Sequence, residues 1–289
     1  VQNYTIENWY DLFPLPKRLN APQLMYQTDP PRPPQETLPT MYDLPSEEVE
    51  EPGLPDEFHR LQADLLSQTC QPPNQPIDQV FVASDLNLYY DPRHPRWYKR
   101  PDWFVVLGVR RFTQQQDLRW SYVIWQEGVT PLLVVELLSP GTTPEDLGQT
   151  LREVNQPPTK WEVYERILRI PYYVVFDRYV NQFRAFCLSG TRYQELSLQN
   201  QRLWLDELQL GLGIWQGVFE ETTGLWLRWY DRTNRWIPTP VEQAQQEQQR
   251  AEQLEMQLEQ ERQRSERLAE RLRGLGIEPD ALSEDDLGQ

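Results

Sequence analysis

Cysteine, histidine and lysine are all scarce in this chain of 289 residues, and each shortage removes a class of chemistry. Cys70 and Cys187 give neither a disulfide framework nor a paired-thiolate zinc site, so a reducing, cytoplasmic setting is expected. With two histidines, His59 and His94, there is no zinc set and no His-based triad. No apolar run approaches the ~20 residues of a membrane-spanning helix. Val1-Gln2-Asn3-Tyr4 lacks the basic-then-apolar order of a secretory signal. A phosphate-binding P-loop is missing. Gly211-Leu212-Gly213-Ile214-Trp215-Gln216-Gly217 spaces its glycines wrongly for a dinucleotide fingerprint and reads as a turn between strands.

Excess positive charge is missing too. The net charge of −16 sits in the ends, with −8 in residues 1–74, −1 in 75–240 and −7 in 241–289. The middle is nearly neutral, which leaves phosphate contact open without the basic stripe of a dedicated DNA binder. Arg93, Arg96, Lys99 and Arg100, interleaved with His94, Trp97 and Tyr98, resemble a nucleic-acid contact patch. The plainer reading is a solvated, ion-paired loop.

Proline is plentiful in residues 1–55, where Pro30-Pro31-Arg32-Pro33-Pro34 and the acidic run Glu47-Glu48-Val49-Glu50-Glu51 predict an extended arm. Residues 56–69 read as an amphipathic helix with Phe58, Leu61, Leu65 and Leu66 on one face. A domain over 56–240 follows. Its strands are expected at 80–83, 87–90, 102–107, 121–125, 132–138, 172–176, 183–188 and 226–230. Pro157-Pro158 bars helix, and Thr159-Lys160-Trp161-Glu162 then opens one as a capping box. Strands interleaved with a few helices predict an α/β (α+β) fold around one central mixed sheet. From Val241 to Leu275 a long polar helix is expected. Its a/d seam is broken by Glu247, Glu261 and Ser265, so it reads as a lone helix or a weak coiled coil. It would serve a homodimer or a protein partner. Residues 276–289 read as an acidic, disordered tail.

Two apolar strands carry a carboxylate: Pro101-Asp102-Trp103-Phe104-Val105-Val106 and Leu132-Leu133-Val134-Val135-Glu136-Leu137-Leu138-Ser139. A buried strand rarely keeps an unpaired Glu, because desolvating the charge is costly. If the strands are neighbours, Asp102 and Glu136 converge on one hard cation, with the Leu137 carbonyl as a third oxygen. Lys160, one of three lysines beside Lys17 and Lys99, follows closely enough to assist at a phosphate. Plainer alternatives stand beside each: Asp102 as a turn residue, Glu136 paired with a core arginine, Lys160 exposed on a first turn. Asp85 reads as a turn cap, and Tyr164, one turn beyond Lys160, as core packing.

Pro101-Asp102, the segment Val134 to Thr142, Lys160 with Tyr164, and Pro171-Tyr172-Tyr173-Val174-Val175-Phe176-Asp177 occur in an order that resembles a restriction endonuclease family expanded in cyanobacteria. That family lies within the PD-(D/E)XK nuclease superfamily. The resemblance covers roughly residues 56–220. It implies a restriction-endonuclease-like sheet flanked by helices and a phosphodiesterase site dependent on Mg2+, with Mn2+ as a substitute, acting on nucleic acid and most naturally DNA. It carries Asp102 and Glu136 as metal ligands and Lys160 as the catalytic lysine. Leu138 stands where the superfamily motif has Lys. An insertion containing Asn155-Gln156-Pro157-Pro158 separates Asp146 from Lys160. A second expectation therefore remains: an inactive nuclease fold that serves as a scaffold, binding a protein through its arm and C-terminal helix.

Overall fold

A computed structural model of the chain describes residues 56–111, 118–139, 143–150 and 156–275. The expected arm of 1–55, Pro140-Gly141-Thr142, Asn155 of the insertion and the expected tail of 276–289 lie outside the described residues. The chain divides into one unit ending at Ile237 and another from Pro238.

Helix α1 (Glu57–Thr69) begins where Asp56 accepts the His59 backbone N–H at 3.1 Å, satisfying one of the orphan donors of a helix start. Leu61, Leu65 and Leu66 are buried, as the periodicity predicts. Gln62 is buried among them. Its amide donates to Leu227 O and accepts from Leu227 N–H, both at 2.8 Å, so its polar atoms are paired.

Strands β1 (Val80–Ala83), β2 (Leu88–Tyr89), β3 (Tyr98–Lys99) and β4 (Trp103–Leu107) follow. The segment 121–125, expected as one strand, divides. β5 is Tyr122–Val123 alone, and the chain turns into the short helix α2 (Ile124–Glu127). Gly128 closes that turn at φ 74°, and Arg119 holds Glu127 at 2.7 Å, so local chemistry overrides the β-rich composition. Then come β6 (Leu133–Leu137), α3 (Thr143–Asp146), α4 (Lys160–Glu162) running into a π-type turn (Val163–Ile167), β7 (Tyr172–Asp177), β8 (Gln182–Ser189), β9 (Arg192–Glu195), β10 (Arg202–Leu205), β11 (Leu210–Phe219) and β12 (Thr222–Tyr230).

The main sheet has the order β1-β4-β6-β7-β8-β9, with β6 and β7 parallel and the other neighbours antiparallel. Trp103, Val105, Leu133, Val135, Val174 and Phe176 pack on one side with α1 and the meander β10-β11-β12. On the other side, Phe104, Val106, Val134, Tyr173 and Val175 pack with Val163, Tyr164 and Leu168 and with the small sheet β3-β2-β5. Coverage on both faces explains why β6 and β7 read as unbroken apolar runs rather than alternating ones.

The glycine-rich segment 211–217, expected as a turn, is instead the middle of β11. The glycines are there for space. A Cβ on Gly211 would overlap the Tyr230 ring of the paired strand, and one on Gly217 would overlap the Trp215 ring. Gly211→Ala is expected to destabilise the domain by about 1–3 kcal/mol through overpacking. A urea titration checks this, and an unchanged midpoint would contradict it.

In the second unit, α5 (Pro240–Gly274) is the expected long helix. Thr239 and Glu242 cap each other's backbone N–H groups at its start, and Pro240 occupies the first helical position, where its missing N–H costs nothing.

Candidate active site

The pairing of β4 with β6 places Trp103 opposite Val135. Because the strands are antiparallel, the next position in that register brings Asp102 beside Glu136. Asp102 lies two before Phe104 and Glu136 two after Val134, so strand alternation sends both toward the face that carries α4. The two residues interlock: the Leu137 N–H donates to Asp102 Oδ2 at 2.6 Å, and the Asp102 N–H donates to Glu136 Oε2 at 3.4 Å. Glu136 has no exposed surface.

The Thr159–Glu162 capping box sets where α4 begins. Lys160 is therefore its first residue, and Tyr164 falls four later on the same face. The π-type turn, in which the Leu168 N–H donates to Val163 O, continues that face into the core. Lys160 Nζ lies 2.9 Å from Glu136 Oε2 and 3.0 Å from Asp146 Oδ1. Tyr164 donates its phenol proton to Glu136 Oε1 at 2.9 Å. Tyr173, from β7, donates to the Asp146 carbonyl at 3.0 Å. Lys160 is thus not an exposed first-turn residue, and the partner of Glu136 is a lysine rather than an arginine. Tyr164 is core packing, as expected, and also a direct contact of the buried carboxylate.

Charge is crowded at this point. Burial pushes the Glu136 carboxyl well above its ordinary range; the Lys160 ammonium opposes that, while Asp102 and Asp146 add to it. For Lys160, burial works against the charge, but Asp146 and Glu136, with Asp102 behind them, outweigh it and hold the amine protonated. Burial and the Glu136 charge likewise keep Tyr164 a neutral phenol. Among the described residues, the carboxyl groups of Asp146, Glu136 and Asp102 all act on the Lys160 ammonium. An all-oxygen set of two interlocked carboxylates beside the Leu137 carbonyl suits a hard cation such as Mg2+, which takes one or two carboxylates and fills its remaining positions with water and phosphate. Among the described residues, no three or more His, Cys, Asp or Glu form a full metal cage.

Two contributors escaped the sequence reading. Asp146, the last residue of α3, is buried and holds Lys160. Its signal is an acid a few residues past the second carboxylate strand. His59 is buried on α1 with Nε2 3.0 Å from Leu137 O and Nδ1 2.8 Å from Asp56 Oδ1. Its only trace in the sequence is a histidine on a helix that buries apolar neighbours. Asp85 sits on a bend at φ 50° and pairs with Arg100 at 3.6 Å. The basic loop is largely ion-paired: Arg93 holds Asp91 at 3.0 Å, and Lys99 holds Glu145 at 2.7 Å.

A family model described as "Putative restriction endonuclease", Uma2, matches residues 32–219. No curated protein matches the chain.

Proposed function

Since a match over more than half of its length makes the chain a member of the Uma2 family, we propose that it is a Mg2+-dependent endonuclease that hydrolyses phosphodiester bonds in DNA. The observation that carries the proposal is the contact of Lys160 Nζ with a fully buried Glu136 that is interlocked with Asp102. Asp102, Glu136 and the Leu137 carbonyl would hold the cation. When bound, such an ion acidifies a water and neutralises charge on the scissile phosphate. The Lys160 ammonium, kept protonated by Asp146 and Glu136, stabilises charge that develops on the phosphate or positions the attacking water. Tyr164 fixes the orientation of the Glu136 carboxylate. Leu138 is buried in the core beside Val134 and Tyr164, and the basic group near Glu136 comes from α4.

Incubation of supercoiled plasmid and of single-stranded DNA with Mg2+ or Mn2+ should give cleavage that EDTA stops. No cleavage by the wild-type chain of either DNA with either metal would sink the proposal. A second reading, the inactive scaffold, is favoured by the acidic ends, which repel nucleic acid. It requires no heat of Mg2+ binding, together with a stable protein complex captured through residues 241–275.

A further inference from the structure

Leu137 is the residue at which β6 outruns β4. Leu138 donates to Phe176 O on β7 at 2.8 Å, so by strand alternation the N–H and C=O of Leu137 face the β4 side. The last β4–β6 pair is Trp103 with Val135, and among the described residues no strand pairs with Leu137 on that side. Side chains take its place. Asp102 accepts the N–H at 2.6 Å, and His59, from 78 residues earlier, lies 3.0 Å from the carbonyl oxygen. The other ring nitrogen of His59 lies 2.8 Å from Asp56 Oδ1, whose second oxygen is 2.6 Å from Arg178 Nη2. Arg178 in turn covers the faces of Phe58 and Tyr179. A carbonyl and a carboxylate are both acceptors, so His59 donates from both nitrogens. A ring 2% exposed, with both nitrogens committed and its carboxylate partner itself clamped by a guanidinium, has one orientation.

We infer that His59 is a positioning residue of the nuclease site: its Nε2–H fixes the direction of the Leu137 carbonyl, and the Asp56–Arg178 pair fixes the ring. The inference rests on the metal-nuclease reading of Asp102 and Glu136. It adds that one lone pair of the Leu137 oxygen is used by His59, so the carbonyl offers a single, oriented lone pair to a cation. An apolar side chain at position 59 would leave the Leu137 carbonyl without this donor. The ring's presence is therefore explained by what it does to the carbonyl. Groups that orient the ligands of a metal typically change metal affinity 10–100-fold when removed.

The test is Mn2+ binding by calorimetry on the full chain, with folding checked by circular dichroism. His59→Leu is expected to weaken Mn2+ binding 10–100-fold. His59→Gln, whose amide can still donate to the carbonyl, should recover most of it. The half-saturating Mn2+ concentration for DNA cleavage should rise in the Leu variant, while the rate at saturating metal stays near that of the wild type. A folded His59→Leu with wild-type affinity would overturn the inference. Should the Leu variant fail to fold, His59→Asn, too short to reach Leu137 O, replaces it, and equal affinities of the Asn and Gln variants would overturn the inference. Wild-type protein that binds no Mn2+ would instead remove the metal site itself, and this inference with it.

Discussion

Glu136→Ala should cut DNA cleavage by about 10²–10³-fold or more while leaving the fold intact. The activity loss follows from removing the most buried oxygen ligand of the proposed cation seat; mutating even one preorganised electrostatic group at such a site costs about 10²–10³. The fold survives because Glu136 is a liability to stability. Burial, with Asp102 and Asp146 beside it, pushes its carboxyl well above the ordinary range. The isosteric Glu136→Gln is the sharper variant. Its amide oxygen can accept from Lys160 and the Asp102 N–H while its NH2 donates to the Tyr164 oxygen, and it removes a carboxyl group crowded by Asp102 and Asp146. Metal-free, Glu136→Gln should melt at or above the wild-type temperature and still fail to cut plasmid DNA. A variant that cuts at the wild-type rate would show that this carboxylate has no part in catalysis. A large drop in melting temperature would show that its role is structural.

Lys160→Ala reverses that pattern, because it removes the ammonium that contacts both Glu136 and Asp146. Deleting one member of a buried ion pair typically costs about 3–5 kcal/mol, since the remaining charge is left uncompensated. A shift of the urea midpoint measures this in EDTA, and added Mg2+ should restore part of the loss. Cleavage should fall by about 10²-fold or more if the ammonium acts at the phosphate. The pH dependence has a definite sign. Glu136 has a folded pKa above its ordinary value, so the folded chain binds more protons than the unfolded one and stability falls as pH rises. Without Lys160 this effect grows. The deficit of Lys160→Ala should be small at pH values below the ordinary glutamate range and widen as pH climbs above it. A deficit that is independent of pH would mean that lost packing of the lysine stem, not lost charge, is responsible.

Much of this architecture was legible from local patterns. The unbroken apolar runs of β6 and β7 announce strands covered on both faces, and the single carboxylate inside β6 announces a buried charge in need of partners. Thr159 with Glu162, after two prolines, announces the start of α4 and thereby the position of Lys160. What escaped depended on contacts between distant segments. The glycines of β11 read as turn residues until the Tyr230 and Trp215 rings that occupy their Cβ positions are in view. Tyr122–Val123 has strand composition, but Gly128 and the Arg119–Glu127 pair bend the following residues into a helix. Asp146 and His59 gave little signal because an acid after a strand and a histidine on an amphipathic helix are each ordinary alone. Their partners, Lys160 and the Leu137 carbonyl, lie 14 and 78 residues away in the sequence.

The start of α4 is fixed from within, by a threonine and a glutamate three residues apart, and Asp146 is tethered separately by the Tyr173 phenol. Neither anchor uses the chain that joins them. A change of length between two such anchors costs little in itself, because loop-closure entropy rises by only about 0.6 kcal/mol for each doubling. A lengthened or shortened link would thus still deliver the Lys160 ammonium to Glu136 and Asp146.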